Sequence, residues 1–389
     1  MKYNFDKITD RKNTNSLKWN VSDGVLPMWV ADMDFEVCPA ISKAVQDRAA
    51  HCIYGYSSDP SEWAEAYVNW WGTRHNWKFK KDAVLFCTGV IPAISSTVRR
   101  AAAPGEGVMV FTPVYNVFFN CINNSDRKVV ESELIYNKAD MSYEIDWADF
   151  EEKAKREDVK LLLLCNPHNP VGRIWTSEEL AHIGEICAAN GMLVLSDEIH
   201  CDLTLPGKDY VPFASVNDTN RDISITAIAP SKTFNIAGLQ SSAVIVPNRK
   251  LCRTIWNGLN ADEVGEGNCF AQIAAIAAFT DGGEWLDELR EYIAENKRIA
   301  AEFINNEVPG LRTTVTDATY LIWIDCSELS PDSNKLALFL KDNSKLFITR
   351  GSTYGGNGEG FLRMNLAAPR SVVMDGLERL KKGATAFTL

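Results

Sequence analysis

The sequence predicts an α/β protein with a mostly parallel central sheet flanked by helices, and with a smaller α+β domain. Short apolar segments alternate with helical patterns between residues 83 and 246, which is typical of a parallel sheet covered on both faces. The all-apolar run Leu161–Cys165 indicates a strand buried on both sides. Several polar or reactive residues directly follow these apolar segments, at the sheet edge where α/β proteins bind ligands.

Residues 1–38 are predicted to form an extended arm. Pro39 then suits the first turn of a helix that runs to about residue 50. Residues 54–57 are predicted to form a turn, and a Trp-rich helix is expected from about 61 to 77. The N-terminal arm is expected to join the smaller α+β domain in space.

The predicted strands of the sheet cover residues 83–87, 108–111, 161–165, 192–196, 222–228 and 242–246. One connecting helix begins after Gly89 and ends near Pro104, and a short one follows Tyr115. Thr176 and Glu179 have the spacing of a capping box for a helix that ends near residue 190. These connections complete the alternation that predicts the sheet.

The C-terminal part has a different pattern. A long helical segment from 284 to 306 precedes apolar strand-like segments at 319–325 and 361–365, and a last helix covers about 371–382. We therefore predict three regions: residues 1–50 as an arm and part of the small domain, 51–283 as the large ligand-binding domain, and 284–389 as the small C-terminal domain.

Composition narrows the class of function. The chain has 389 residues, 46% of them hydrophobic, and a net charge of −11, which argues against nucleic acid and anionic membranes as partners. No apolar run approaches the ~18 residues of a membrane helix, and the polar N-terminus lacks a signal core, so we expect a cytoplasmic protein. The ten cysteines form no C-x-x-C pair and the five histidines no H-E-x-x-H motif, so no metal site is predicted.

One group of residues shares a position just after the predicted strands. A lysine after the apolar segment 222–228 is costly to bury unless it has a chemical task or a partner. Carboxyl ends of parallel strands meet at one edge of the sheet, so the members of this group are expected to lie together: Gly89, Tyr115, Asn169, Asp197 and Lys232.

Three local motifs carry a resemblance to a known family: Asn166-Pro-His-Asn-Pro-Val-Gly172, Ser196-Asp-Glu-Ile-His200 and Ser231-Lys232. Over nearly its whole length the chain resembles the pyridoxal phosphate (PLP)-dependent enzymes of the aspartate-aminotransferase-like fold, fold type I. Within that superfamily it looks most like the C–S lyases of the cystathionine β-lyase type. The segments closest to that branch are 29–35, 54–57, 196–203, 231–236 and 361–366.

The resemblance implies a role for each member of the group. Lys232 would form a Schiff base with PLP and, once freed, take the α-proton of the substrate. Asp197 would pair with the pyridine nitrogen and keep the ring cationic, although Asp after a strand is also a common cap. Asn169 would donate to the phenolic oxygen, although Asn-Pro also favours turns. Tyr115 would stack on the ring, with core packing as the alternative.

The remaining candidates follow from the same resemblance. His200 would make a secondary cofactor contact, with a structural histidine as the competing interpretation. The phosphate would lie at the start of a helix, held by the backbone of Gly89, Val90 and Ile91 and by the hydroxyl of Ser231. The sequence departs from the aminotransferase pattern here, because Gln240 stands where many relatives have a phosphate-binding arginine.

Two candidates concern the substrate. Arg363, inside an apolar strand, would bind the α-carboxylate through a bidentate fork, unless it faces outward. Tyr56 would assist catalysis from the neighbouring subunit of a homodimer whose active site is shared.

The implied reaction is the cleavage of L-cystathionine, L-cysteine or related cysteine S-conjugates to a thiol, pyruvate and ammonia. Two alternatives stay open: an aminotransferase on the same scaffold, and a regulatory binding protein that retains the fold.

Overall fold

This computed structural model describes residues 1–387. The strands are β1 Leu26–Pro27, β2 Val84–Cys87, β3 Gly107–Thr112, β4 Lys128–Asn137, β5 Ser142–Ile145, β6 Val159–Cys165, β7 Leu193–Asp197, β8 Ser224–Ile228, β9 Ser242–Ile245, β10 Arg312–Thr313, β11 Leu321–Asp325, β12 Leu346–Phe347, β13 Thr349–Arg350 and β14 Phe361–Asn365. The helices are α1 Pro39–Ala50, α2 Ser61–Arg74, α3 Val90–Ala101, α4 Val117–Asn123, α5 Trp147–Ala154, α6 Ser177–Ala189, α7 Asp218–Ile223, α8 Pro230–Thr233, α9 Arg249–Ala261, α10 Ala271–Asp281, α11 Gly283–Glu307, α12 Ser333–Phe339 and α13 Arg370–Phe387.

The large sheet has eight strands in the order β2-β9-β8-β7-β6-β3-β4-β5. Its centre is parallel, from β8 through β7, β6 and β3 to β4, and antiparallel pairs close both sides. The predicted α/β class and the flanked central sheet are therefore confirmed. The long hairpin of β4 and β5 extends the sheet beyond the strands that the sequence pattern predicted.

The apolar strands bury both faces, as their composition requires. Along β6, Leu161 and Leu163 pack into one core with α3, α4 and α9, whereas Leu162 and Leu164 pack into a second core with α5 and α6. This alternation follows from the two-residue period of a strand. It fixes the register of β6, because a slip of one residue would exchange its two sets of side chains.

The helix boundaries follow recognisable signals. Thr176 and Glu179 form the predicted capping box at the start of α6. Pro39 occupies the first turn of α1, as expected. The predicted Trp-rich helix is shorter than expected: α2 ends at Arg74, and Asn76 takes a left-handed φ of 50°. The segment predicted as strand 222–228 begins as the last turn of α7, so β8 starts only at Ser224.

A second sheet, in the order β10-β11-β14-β13, is antiparallel and lies in the C-terminal part. Side chains of α11 and α13 complete a separate core with it, and Leu26 of the N-terminal arm joins that core. The arm is attached further by the parallel pairing of β1 with β12. The domain limits themselves stay a prediction, and residues 388 and 389 of the predicted C-terminal domain lie outside the described residues.

Among residues 1–387, no helix combines the length and the apolar character that a membrane crossing requires.

Candidate active site

A cavity of about 210 Å³ opens at the carboxyl ends of β3, β6, β7 and β8. The parallel strands point the same way, so the residues that follow them meet at this edge. The structure brings together every residue that was predicted to bind the cofactor, as lining of the same cavity: Gly89, Val90, Ile91, Tyr115, Asn169, Asp197, His200, Ser231 and Lys232.

Lys232 lies on α8, which begins directly after β8. Its Nζ donates to the carbonyl oxygen of Ala31 at 2.5 Å. Burial lowers the pKa of this amine to about 8, with a further lowering by Arg363 and an opposing effect of Asp32 and Asp197. The lowered pKa increases the fraction of neutral, nucleophilic amine near neutral pH.

Asp197 ends β7 and is buried beneath the cavity. Its Oδ1 accepts a hydrogen bond from the backbone N–H of Ile199 at 3.1 Å. Burial raises the pKa of this carboxyl to about 7, while the Ile199 amide and Lys232 act in the opposite direction. A cationic ring nitrogen in the cavity would keep Asp197 ionised, because it would supply the opposite charge that the buried carboxylate needs.

Arg363 reaches the same site from β14 of the second sheet. Its Nη1 donates to Asn169 Oδ1 and its Nη2 donates to the carbonyl oxygen of Trp29, both at 3.1 Å. The guanidinium lies over the ring of Tyr354, 5.0 Å from the ring centre. Its Nε is buried and has no hydrogen-bond partner among the described residues. A buried cation with a free donor suits an incoming carboxylate.

His200 is buried, and its Nδ1 has no partner among residues 1–387. Burial lowers the pKa of the imidazole to about 3, and the nearby charges of Lys232 and Arg363 lower it further. The ring is therefore neutral at physiological pH, and its edge faces Tyr320 with 6.1 Å between ring centres. A neutral imidazole here can still donate a hydrogen bond to a bound group or accept one from it.

The helix α3 begins at the opposite end of the cavity, where Gly89 precedes its first turn. Ser231, Gln240 and Ser241 face the same space, and the Ser241 Oγ is buried without a partner among the described residues. Among the described lining residues, Lys232 is the one lysine and there is no arginine. An anion here would thus be held by neutral donors and by the helix N-terminus, with Gln240 in place of an arginine.

Tyr115 lines the cavity after β3, and its ring packs edge-on against Phe118 with 5.8 Å between ring centres. Burial raises the pKa of its hydroxyl to about 12, so the side chain is neutral. Tyr115 packs against the core and also lines the cavity, so its stacking on a cofactor ring stays a prediction beside the alternative of core packing.

Tyr56 is not brought to the site by its own chain. Its side chain is fully exposed, as is most of the segment from His51 to Asp59. Ile53 and Tyr54 in the same segment are also largely exposed. Within one chain, the predicted catalytic tyrosine therefore lies on the surface and does not line the cavity.

Two site contacts were not predicted from the sequence. The carbonyl oxygens of Ala31 and Trp29 accept hydrogen bonds from Lys232 and Arg363, respectively. The segment 29–35 had been singled out only for its family resemblance. Backbone acceptors leave no side-chain signature, so the sequence offered no direct signal for them.

A buried cluster of His75, Cys201 and Asp202 lies behind Lys232. The Asp202 carboxylate is 2.8 Å from His75 Nε2 and accepts hydrogen bonds from Trp70 Nε1 at 3.0 Å and Thr233 Oγ1 at 3.1 Å. Protein donors therefore already form hydrogen bonds with this carboxylate, and the bond from Thr233 connects the cluster to α8.

The residues present fit pyridoxal phosphate. The cavity offers a buried amine for its aldehyde, a buried carboxylate for its ring nitrogen, and unpartnered buried polar atoms at Ser241 and His200 for its oxygens. Asn169 and Arg363 complete one wall.

Comparisons with known proteins agree with this geometry. The model of the family "Aminotransferase class I and II" matches residues 24–380. The chain is 41% identical to cystathionine beta-lyase PatB of Bacillus subtilis, over 97% of this chain and 99% of that protein. The crystal structure of cystalysin from Treponema denticola, which contains pyridoxal 5'-phosphate, is 35% identical, covers 99% of this chain and 100% of its own, and has a TM-score of 0.95. A PLP-bound C-S lyase from Staphylococcus hominis is 34% identical, with 98% of each chain covered and a TM-score of 0.91.

Proposed function

The chain belongs to the class I and II aminotransferase family, and from this premise we propose that it is a PLP-dependent carbon–sulfur β-lyase. Its substrates are L-cystathionine, L-cysteine or related cysteine S-conjugates, which it converts to a thiol, pyruvate and ammonia. The observation that carries the proposal is the convergence of Lys232 and Asp197 in one cavity, in a chain whose full-length relatives bear the names of C–S lyases.

Each residue has a defined task in this reaction. Arg363 binds the α-carboxylate and so fixes the α-carbon near Lys232. Lys232 Nζ takes the α-proton, while Asp197 keeps the ring nitrogen of the cofactor protonated. PLP, when bound, supplies the electron sink for the charge left on the α-carbon. The Cβ–S bond then breaks, the sulfur leaves with its electron pair as a thiolate, and the released aminoacrylate hydrolyses to pyruvate and ammonia.

The proposal includes a homodimer in which the partner subunit supplies a tyrosine to each site. Support comes from the exposed segment 51–59, which carries Ile53, Tyr54 and Tyr56 on the surface of the isolated chain. Exposed apolar and aromatic side chains in one segment are typical of an interaction surface. The ten free cysteines, most of them buried, support a reducing compartment such as the cytoplasm.

An aminotransferase on the same scaffold remains the second candidate, because the same proton abstraction begins both reactions. The names of the full-length relatives, rather than the cavity lining, favour the lyase. Conversion of the cofactor to its amine form by a substrate without a β-leaving group would identify an aminotransferase.

Incubation of the purified protein with PLP and L-cystathionine tests the proposal. We expect release of pyruvate, ammonia and a thiol when no oxo acid is added as an acceptor. Lys232→Ala should lose this activity. Lys250→Ala, which removes an exposed lysine, should retain it. The proposal fails if several S-conjugates give no pyruvate, or if product forms only when an oxo acid is added.

A further inference from the structure

Residues 29–35 form a strap beside the active site, and its backbone is held by side chains from the turn after α8 and from β14 of the second sheet. The strap is anchored from outside by Arg11, which pairs with Asp32 at 2.9 Å and with Asp34 at 2.7 Å. Lys18 is buried and pairs with Asp34 at 2.8 Å. The strap is therefore a fixed part of the site rather than a loose arm.

Asn235, in the turn that follows α8, holds one end of the strap. Its Oδ1 accepts from the backbone N–H of Met33 at 3.0 Å. Its Nδ2 donates to the carbonyl oxygens of Met33 at 3.0 Å and Phe35 at 3.1 Å. Asn235 follows Lys232 by three residues and takes a left-handed φ of 58°, a conformation that Asn tolerates better than most residues.

Asn365 holds the middle of the strap from the second sheet. Its Nδ2 donates to the carbonyl oxygens of Val30 and Asp32, each at 2.6 Å. Asn365 lies two residues after Arg363 on β14, so both side chains point to the same face of that strand. The amide and the guanidinium thus contact successive parts of one segment.

The part of the strap that Asn365 holds contacts the reactive side chains themselves. The Ala31 carbonyl oxygen accepts from Lys232 Nζ at 2.5 Å and from the Tyr320 hydroxyl at 2.9 Å. The Trp29 carbonyl oxygen accepts from Arg363 Nη2 at 3.1 Å and from Thr349 Oγ1 at 3.2 Å. One rigid segment therefore links the amine that takes the proton to the guanidinium that binds the substrate.

We propose that Asn235 and Asn365 are positioning residues that align Lys232 and Arg363 through the strap. This inference rests on the proposed function, because it assigns the alignment of the same proton transfer. Asn235 acts mainly on Lys232, since it holds the strap on the side of α8. Asn365 acts on Arg363 through Val30, which adjoins Trp29, and also supports Ala31, since it holds the residues on either side of it.

A purely structural role is the competing interpretation, because buried Asn side chains often satisfy backbone groups. The two interpretations differ in what a substitution changes. Loss of a purely structural amide lowers the stability of the fold and leaves the kinetics of the folded protein unchanged. Loss of alignment lowers the exchange rate or the substrate affinity even when all of the protein is folded.

The test uses PLP-loaded protein and the exchange of the α-hydrogen of L-alanine in D₂O. In this reaction the α-proton leaves, a deuteron from solvent takes its place, and alanine is regenerated. L-Alanine has no β-leaving group, so the exchange reports proton transfer even if no C–S bond is ever cleaved. A failed lyase assay with normal alanine exchange would therefore reject the proposed function and leave this inference testable.

We expect Asn235→Gly, which keeps the left-handed backbone, to lower the exchange rate at saturating alanine by about tenfold or more. Its half-saturating alanine concentration should change by less than about threefold, because Arg363 keeps its anchor. We expect Asn365→Ala to raise the half-saturating concentration by about tenfold or more. Asn235→Asp is the second variant at that site. It keeps an oxygen that accepts from the Met33 N–H and loses the amide group that donates to the carbonyl oxygens of Met33 and Phe35. It should show the same rate loss.

The matched control is Asn220→Ala. Asn220 is buried, its Nδ2 donates to the Leu180 carbonyl oxygen at 2.8 Å, and it touches neither the strap nor the cavity. Its variant should lower the urea midpoint while both exchange parameters stay within about twofold. The inference is overturned if the strap variants exchange like the wild type, or if Asn220→Ala loses exchange to the same extent as they do.

Discussion

The reactivity of Lys232 depends on its burial beside other charges. Burial removes the water that would solvate the ammonium, so the neutral amine becomes more stable relative to the ammonium. The positive charge of Arg363 adds to this effect. The carbonyl oxygen of Ala31 still holds the amine in one position. One side chain therefore combines a lowered pKa with a fixed direction, which a nucleophile and proton acceptor needs.

A pH dependence of cofactor capture follows for the cofactor-free protein. Only the neutral amine attacks an aldehyde, so the rate should rise with pH and level off above the pKa of Lys232, which is about 8 rather than the ordinary 10.5. Arg363→Gln removes a charge that lowers this pKa, so its midpoint should move to higher pH. Stopped-flow absorbance after mixing with PLP measures the rate.

Arg350→Gln, which changes an exposed arginine on β13, is the control and should leave the midpoint where it is. A wild-type midpoint near 10.5, or one that Arg363→Gln does not move, would contradict the argument that burial and Arg363 set the amine's pKa.

At the scale of elements, Glu198 fixes the segment that carries His200. Its Oε1 accepts from Ser196 Oγ at 2.8 Å and from the Phe213 N–H at 2.9 Å. Its Oε2 accepts from the Tyr210 hydroxyl at 2.8 Å. Burial raises the pKa of this carboxyl to about 7, although the surrounding donors oppose the shift. The end of β7 is thus tied to the loop that returns toward β8.

This shift predicts a pH dependence of stability. The folded protein holds the Glu198 proton up to about pH 7, whereas the unfolded chain releases it near 4.5. The stabilising contribution is therefore complete below 4.5 and is lost as pH rises through 7. In urea unfolding between pH 5 and 8, the wild type should lose stability relative to Glu198→Gln as pH rises to about 7, and the difference should then level off.

The exposed Glu133 supplies the control, because Glu133→Gln should show no such pH-dependent difference from the wild type. A wild-type stability that rises relative to Glu198→Gln over the same interval would mean that the buried carboxyl is ionised in the fold.

The sequence predicted those elements whose signals are local. The apolar run Leu161–Cys165 and the capping box of Thr176 and Glu179 depend on neighbouring residues, and the structure has both. The exact start of β8 was missed, because the side chain of Asn217 caps the preceding turn of helix. The cap is itself a local signal, because Asn217 accepts from the Asn220 amide three residues later, and the apolar pattern alone did not reveal it.

The site was predictable to the extent that it is made of side chains at strand ends. Lys232, Asp197 and Asn169 meet in the cavity because parallel strands end together. The strap was not predictable, since its contribution is a row of carbonyl oxygens held by Asn235 and Asn365. Those contacts join residues 200 or more positions apart, beyond the reach of any local pattern.

At the scale of the whole molecule, one chain carries most of the proposed machinery. Residues from the N-terminal arm, the large sheet and the second sheet all reach the cavity or its wall. Tyr56 alone among the predicted site residues points away from it, on an exposed segment. In the proposed dimer, a two-fold axis that places one Tyr56 at the partner's cavity also places the second Tyr56 at the first cavity.

Mixed dimers test this arrangement directly. Tyr56→Phe and Lys232→Ala chains, each with its own affinity tag, are coexpressed, and the dimers that carry both tags are isolated. In a shared site, one cavity of each mixed dimer pairs an intact Lys232 with the partner's intact tyrosine, while the other cavity has neither. We expect about half of the wild-type pyruvate release per dimer, well above either parent.

Each parent purified alone and a wild-type dimer with both tags serve as controls. A mixed dimer no more active than the mean of its parents would mean that each cavity works with its own chain alone, and a fully active Tyr56→Phe parent would remove the tyrosine from the mechanism.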